Sequence, residues 1–199
     1  MMLDKLPAPH LIAAIVPCYC SHGDMTIIVT TEGDSITTSV RIRTILRRLA
    51  ASQATDLSAL KKLINCATGQ AIMQPLPFSI SLILFPVKIR KPRIAGDITI
   101  GYINLNAVTA INKNNTGGTT ISLSGGAKVS TLWTIATVKK HMQFARLAIT
   151  QTAISTPSMD SLVSVTQKLA EVIQQMLLFN TVSTPPAAHT DTAKWILHQ

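Results

Sequence analysis

The residues of this 199-residue chain best placed to do chemistry are its cations. Lys88-Ile-Arg-Lys-Pro-Arg93 packs four of them into six positions around a proline. Lys139, Lys140 and Arg146 recur downstream, Lys128 follows Gly125-Gly126, and Arg47 and Arg48 sit side by side earlier in the chain. Guanidinium groups bind phosphate bidentately and also enter narrow, electronegative minor grooves. A loop carrying Arg90, Lys91 and Arg93, with a helix carrying Lys139, Lys140 and Arg146, suits the backbone of a duplex. Lys128, Arg47 and Arg48 extend the same candidate surface. Aromatic residues are not interleaved with these cations, which argues against a single-strand stacking platform or an RNA-recognition sheet. No helix-turn-helix spacing stands out, so a loop or β-element is the expected reader.

Other chemistries have less material. Cys18-Tyr-Cys-Ser-His22 offers three soft ligands, but a tetrahedral zinc site needs a fourth, and no second pair lies at a usual spacing. No resident metal or cofactor is expected. His141, beside Lys139 and Lys140, is expected on a helix surface. There is no Walker loop, GxGxxG, HExxH or GxSxG motif. Nine acids leave little for carboxylate catalysis, and no nucleophile–base constellation is visible, so an enzyme is not expected.

Net charge is +9, and its distribution is lopsided. Residues 41–146 hold fifteen of the eighteen Lys and Arg but only two of the nine acids, Asp56 and Asp97. Both ends are slightly acidic. Such a central block points to a polyanion partner, although charge says nothing about fold. Three cysteines make an odd count, so a disulfide scaffold is not expected and a reducing cytoplasm is the simpler location. The apolar stretch Leu11–Pro17 is short for a leader, and the run Ala71–Val87 is broken by Pro75, Pro77 and Pro86; no membrane partner is expected.

The elements that must position these residues follow from periodicity. Leu11–Val16, Met25–Thr31 and Ser35–Ile42 read as strands, and Thr44–Ala51 is ambiguous. Asp56–Ala67 reads as a helix, with Thr55 or Asp56 as its cap and Gly69 after its end. Phe78–Ile89 reads as one strand near an edge because of Pro86. The basic segment 88–93 follows as a loop, and Asp97–Asn106 as a strand. Thr119–Ser124 and Ala127–Leu132 read as a hairpin around a two-residue Gly125-Gly126 turn. Thr134–Ile149 reads as an amphipathic helix, and a last helix runs from Ser158 or Asp160 to about Phe179. The expected class is α+β: an antiparallel β-rich core with a short internal helix and C-terminal helices. The expected organisation is a β-rich domain over 1–150 and a helical segment over 151–199.

Several short motifs carry a resemblance. Ile83-Leu-Phe-Pro86, Arg90 and Arg93 around Pro92, Gly101-Tyr-Ile-Asn104, Thr119-Thr-Ile-Ser-Leu-Ser-Gly-Gly126 with Lys128, and Gln143-Phe-Ala-Arg146 resemble, in order and spacing, the competence transcription factor ComK family. The similarity covers roughly residues 80–150 and runs more weakly through Thr44–Ser52. Tyr102-Ile103-Asn104 stands where the family has an aromatic-isoleucine-serine step. Gly125-Gly126-Ala127-Lys128 is one residue longer than the family's turn, and Leu147 replaces a usual threonine. The resemblance implies a cytoplasmic, oligomeric activator of DNA-uptake genes that binds AT-rich DNA largely through the minor groove and is controlled by an adaptor-guided protease, with a protease adaptor as a partner. The strand–hairpin–strand segment also resembles LytTR-type DNA-binding domains. An alternative of another class is a protein-interaction module that uses the helix at Asp160–Phe179.

Overall fold

A computed structural model describes residues 6–21 and 23–155, with Gln167 and Ala170 as isolated helical positions. The expected helix from Ser158 or Asp160 to Phe179, and the interaction module built on it, lie outside the described residues. The chain divides into two units, Met1–Ser155 and Thr156–Gln199.

Among the described residues of the first unit, nine strands form two antiparallel sheets beside three α-helices, an α+β architecture with a β-rich core. The larger sheet has the order β3-β2-β1-β6-β5-β4 and the smaller the order β7-β8-β9. Strands β1 (Ile12–Cys20) and β2 (Gly23–Thr30) form a long hairpin in which Cys20 faces Gly23. Strand β1 then pairs β6 (Ile100–Asn104), which pairs β5 (Leu82–Lys88). β3 (Ser35–Thr38) and β4 (Leu76–Ser79) close the two edges. The smaller sheet is a meander of β7 (Val108–Lys113), β8 (Thr119–Leu123) and β9 (Lys128–Thr131).

Alternating residues of the large sheet feed two cores. Ile12, Ile15, Ile28, Leu76, Leu82 and Leu84 pack with α1 (Ile42–Ser52) and α2 (Leu57–Thr68). Ala14, Val16, Ile83, Phe85, Val87 and Ile103 pack with the small sheet and with Val138, Met142 and Ala145 of α3 (Ile135–Ser155). The low aromatic content, 4%, leaves most of the core to β-branched and Leu side chains that fit a pleated surface, with Phe85 buried among them.

Several boundaries differ from the sequence expectation, each for a local reason. The strand expected to reach Ile42 ends at Thr38, and Ile42 opens α1. Ile42, Ile45, Leu46 and Leu49 are all buried, so the helical period resolves the ambiguous stretch. The single strand expected over Phe78–Ile89 is two strands. Ile80 and Ser81 turn the chain, Leu82 N–H donates to Ser79 Oγ at 3.2 Å, and Ile80 is left 86% exposed. Strand β5 is internal rather than at an edge, but β4 pairs it only as far as Leu84, so Pro86 lies past its reach. There the missing N–H costs no ladder bond on that side. The Gly125-Gly126 turn spans Ser124–Gly126, three residues, closed by Leu123 N–H to Ala127 C=O at 2.8 Å. The helix over 57–68 has the expected ends. Asp56 accepts from the amides of Ser58 (2.7 Å) and Ala59 (3.2 Å), and Gly69 takes the left-handed conformation.

One buried polar residue ties the large sheet together. The Asn104 amide donates to the carbonyls of Ile12 and Ser81, each at 2.9 Å, and its oxygen accepts from Ile83 N–H at 3.2 Å. β1, β5 and the β4–β5 turn are thereby bonded to the end of β6. The isolated cost of burying an amide is offset because donors and acceptor are matched.

Candidate functional site: an arginine loop over Tyr19

The basic segment leaves β5 at Lys88 and returns into β6 at Ile100. Its shape is set by Asp97. The carboxylate accepts the backbone N–H groups of Arg93 (2.8 Å) and Ile94 (3.1 Å), and it also accepts the Tyr19 hydroxyl. The Asp97 N–H donates back to the Ile94 carbonyl at 3.3 Å, with Gly96 between them at φ +91°. This is a tight turn whose third position needs positive φ, a requirement glycine meets without strain.

Tyr19, on β1, is the platform. The Arg90 guanidinium carbon lies 3.6 Å from the ring centroid and that of Arg93 lies 4.0 Å from it. Both guanidiniums thus stack against the same ring. The negative faces of the ring hold both cations close despite their mutual repulsion. Arg90 is further bound by an ion pair with Asp24 and by Nε–H donation to the Ile98 carbonyl at 2.9 Å. Its side chain is only 11% exposed. Lys91 and Arg93 are exposed.

These contacts shift the titrating groups in a consistent direction. Tyr19 donates to Asp97, and this bond, with the amide of Ile94, holds the Asp97 carboxyl below the ordinary aspartate range. Desolvation, then the Asp97 bond, raises the Tyr19 phenol above its ordinary value. At neutral pH the phenol donates and the carboxylate accepts, so the anchor is intact.

The predicted cations are not all gathered. Arg90, Lys91 and Arg93 share the loop. Beside it, Arg41 and Ser39 line a cleft of about 570 Å³ with Asp24, Ile94 and Asp97. Lys139 and Arg146 flank a groove of about 220 Å³ with Ile111 and Met142, and Lys140 sits 5.6 Å over the Phe144 ring. The groove and the ring that they meet belong to α3 and β7, not to the loop. Lys128 is exposed at the tip of the β8–β9 hairpin, near the β2–β3 turn where Gly33 meets Gly125. The loop meets β2 at its other end, through Asp24, so Lys128 lies at the opposite end of the sheet. Arg47 and Arg48 are exposed on the polar side of α1.

His141 departs from its expected surface position. It is 8% exposed, stacks on Trp133 with ring centroids 4.4 Å apart, and meets Phe144 edge-on at 6.0 Å. Burial, then Lys140, holds it below the ordinary histidine value. Of the Cys18–His22 cluster, Cys18 is half-buried and Cys20 exposed, while His22 lies outside the described residues; among the described residues no group of three metal-ligating side chains gathers. Burial, then Cys20, raises the Cys18 thiol.

Sequence reasoning missed Asp97 within the loop, and Tyr19, Asp24 and Arg41, which come to it from β1, from β2 and from the start of α1. The one available signal was that Asp97 is one of only two acids in the basic block.

The fold and site together define an α+β protein with a stacked-arginine loop at one end of its larger sheet. No family model, curated protein or solved structure matches this chain. No helix among the described residues is long and apolar enough to cross a membrane.

Proposed function

We propose that this chain binds duplex DNA, with the 88–97 loop as the element that enters a groove. The observation that supports this best is the double stacking of Arg90 and Arg93 on Tyr19. It takes one cation into the scaffold and leaves Arg93 and Lys91 exposed on a turn whose amides are already fixed. A preordered cationic loop spends less conformational entropy on docking than a free one. Its width, a single turn with guanidiniums at its base, suits a narrow AT-rich minor groove. Lys139, Lys140 and Arg146 on α3 provide a separate surface for backbone phosphates, and Arg47 and Arg48 on α1 another.

The resemblance to the ComK family supports a more specific reading: a cytoplasmic transcription activator of DNA-uptake genes that works as an oligomer. Weak half-sites joined by oligomerisation gain affinity through effective concentration.

Binding to a labelled AT-rich duplex and to a GC-rich control across a salt series tests the reading. Preference for the AT-rich duplex that survives near-physiological salt is the expected result. Equal binding to both that vanishes with salt reduces the surface to non-specific charge.

A further inference from the structure

The geometry points to Ile94 as an apolar wedge that enters between base pairs when the loop docks in the minor groove; this rests on the DNA-binding reading above. Ile94 is 71% exposed. A single exposed isoleucine is ordinary in a folded protein. What distinguishes Ile94 is that its backbone is held on both sides. Its N–H donates to Asp97 Oδ2 at 3.1 Å and its carbonyl accepts the Asp97 N–H at 3.3 Å. Gly96 closes the turn, and exposed Lys91, Pro92 and Arg93 lead into it.

Two other isoleucines are at least as exposed, Ile72 at 75% and Ile80 at 86%. Neither has a cation within two residues in sequence. Leu147, 52% exposed, also directly follows an exposed arginine, Arg146, but it lies along helix α3; among the described residues Ile94 is the exposed aliphatic side chain that follows an exposed arginine on a loop turn. That combination matches what insertion requires. The cations hold the phosphates on either side, and the aliphatic group replaces part of the stacking lost when a step opens. The held backbone fixes where on the loop the side chain is presented. Steps that unstack most easily, such as TA, are the chemistry this site would select.

The test uses the full chain and an AT-rich duplex with one central TA step, a dye at each end, and 2-aminopurine beside the step. Wild-type protein is expected to bring the ends closer and raise 2-aminopurine fluorescence. Ile94→Ala is expected to lose both signals and to bind about tenfold more weakly, the worth of one well-buried aliphatic side chain. Its salt slope and thermal midpoint should match wild type. Ile94→Met, which keeps an apolar side chain of similar reach, should recover the bend. If the wild-type protein binds but leaves the duplex straight, or if Ile94→Ala bends it equally, the wedge is overturned while DNA binding stands. If the wild type binds no duplex, the DNA-binding reading falls and the wedge falls with it.

Discussion

The Asp97 carboxylate accepts the backbone N–H of Arg93, four positions earlier in the chain, at 2.8 Å. That bond decides the direction in which a surface arginine leaves the protein. Because the same carboxylate also accepts the Tyr19 hydroxyl, the platform under the arginines and the turn that displays them share one anchor.

Asp97→Ala should therefore loosen the loop without unfolding the sheet. Hydrogen exchange at the Arg93 and Ile94 amides should quicken severalfold, with little change in thermal midpoint and a clear loss of DNA affinity. The wild-type anchor should also fail in acid. Its folded value lies below the ordinary 3.8, so the contribution is complete above that pH and disappears as pH falls through the lowered value. Protection of these amides, relative to their intrinsic exchange rate at each pH, that is insensitive to both the substitution and the pH would remove Asp97 from this role.

Arg90 and Arg93 should separate in their effects. Arg90 is largely buried, paired with Asp24 and bonded to Ile98. Arg90→Ala should cost about 1 kcal/mol or more of stability from the lost stacking and hydrogen bond. Arg93→Ala should leave the thermal midpoint nearly unchanged and reduce the salt slope of DNA binding by about one. Thermal melts beside a salt titration of each variant distinguish the two, and equal effects on both readouts would contradict the assignment.

Lys128→Ala gives a control from the far end of the sheet. Its removal should leave affinity for a short duplex unchanged. A loss as large as that from Arg93→Ala would mean that the interface extends along the hairpin and is not centred on the loop.

Gly33 and Gly125 should be intolerant of any side chain. Gly33 has φ +100° and Gly125 φ +77°, and a Cβ at either position would fall within 2.4 Å of the other's backbone. Either substitution to alanine forces the β2–β3 turn away from the β8–β9 hairpin, at a cost of about 1–3 kcal/mol for the strained backbone alone. A denaturant titration that gives an unchanged midpoint would show that the two turns do not touch.

His141 should make stability depend on pH in mild acid. Its folded value is lowered from 6.5, so the unfolded chain takes up the proton first as pH falls. Stability is full above about that pH and declines below it. His141→Phe, which keeps a ring against Trp133, should flatten the thermal midpoint between neutral and mildly acidic pH. A wild-type midpoint that rises in that range would reverse the sign and sink the idea.

Sequence alone determined the class of architecture and the location of the charge. Strand periodicity, the Asp56 cap and the Gly69 stop are local signals, set by hydrogen bonds within a few residues, and they were legible. The loop's cations were legible for the same reason, since their density is a property of six consecutive positions. Tertiary structure alone decided which cations act together. Tyr19 lies 71 residues before Arg90 in the numbering, and only the pairing of β1 with β6 brings its ring under the loop. It also decided the fate of Ile80, where the alternating pattern reads identically for a continuing strand and for a hairpin turn. His141 was misplaced because the helical period does not record that Trp133 covers that face of α3. Long-range contacts have no sequence period, so the residues that aim Arg93 were visible only once the sheet had formed.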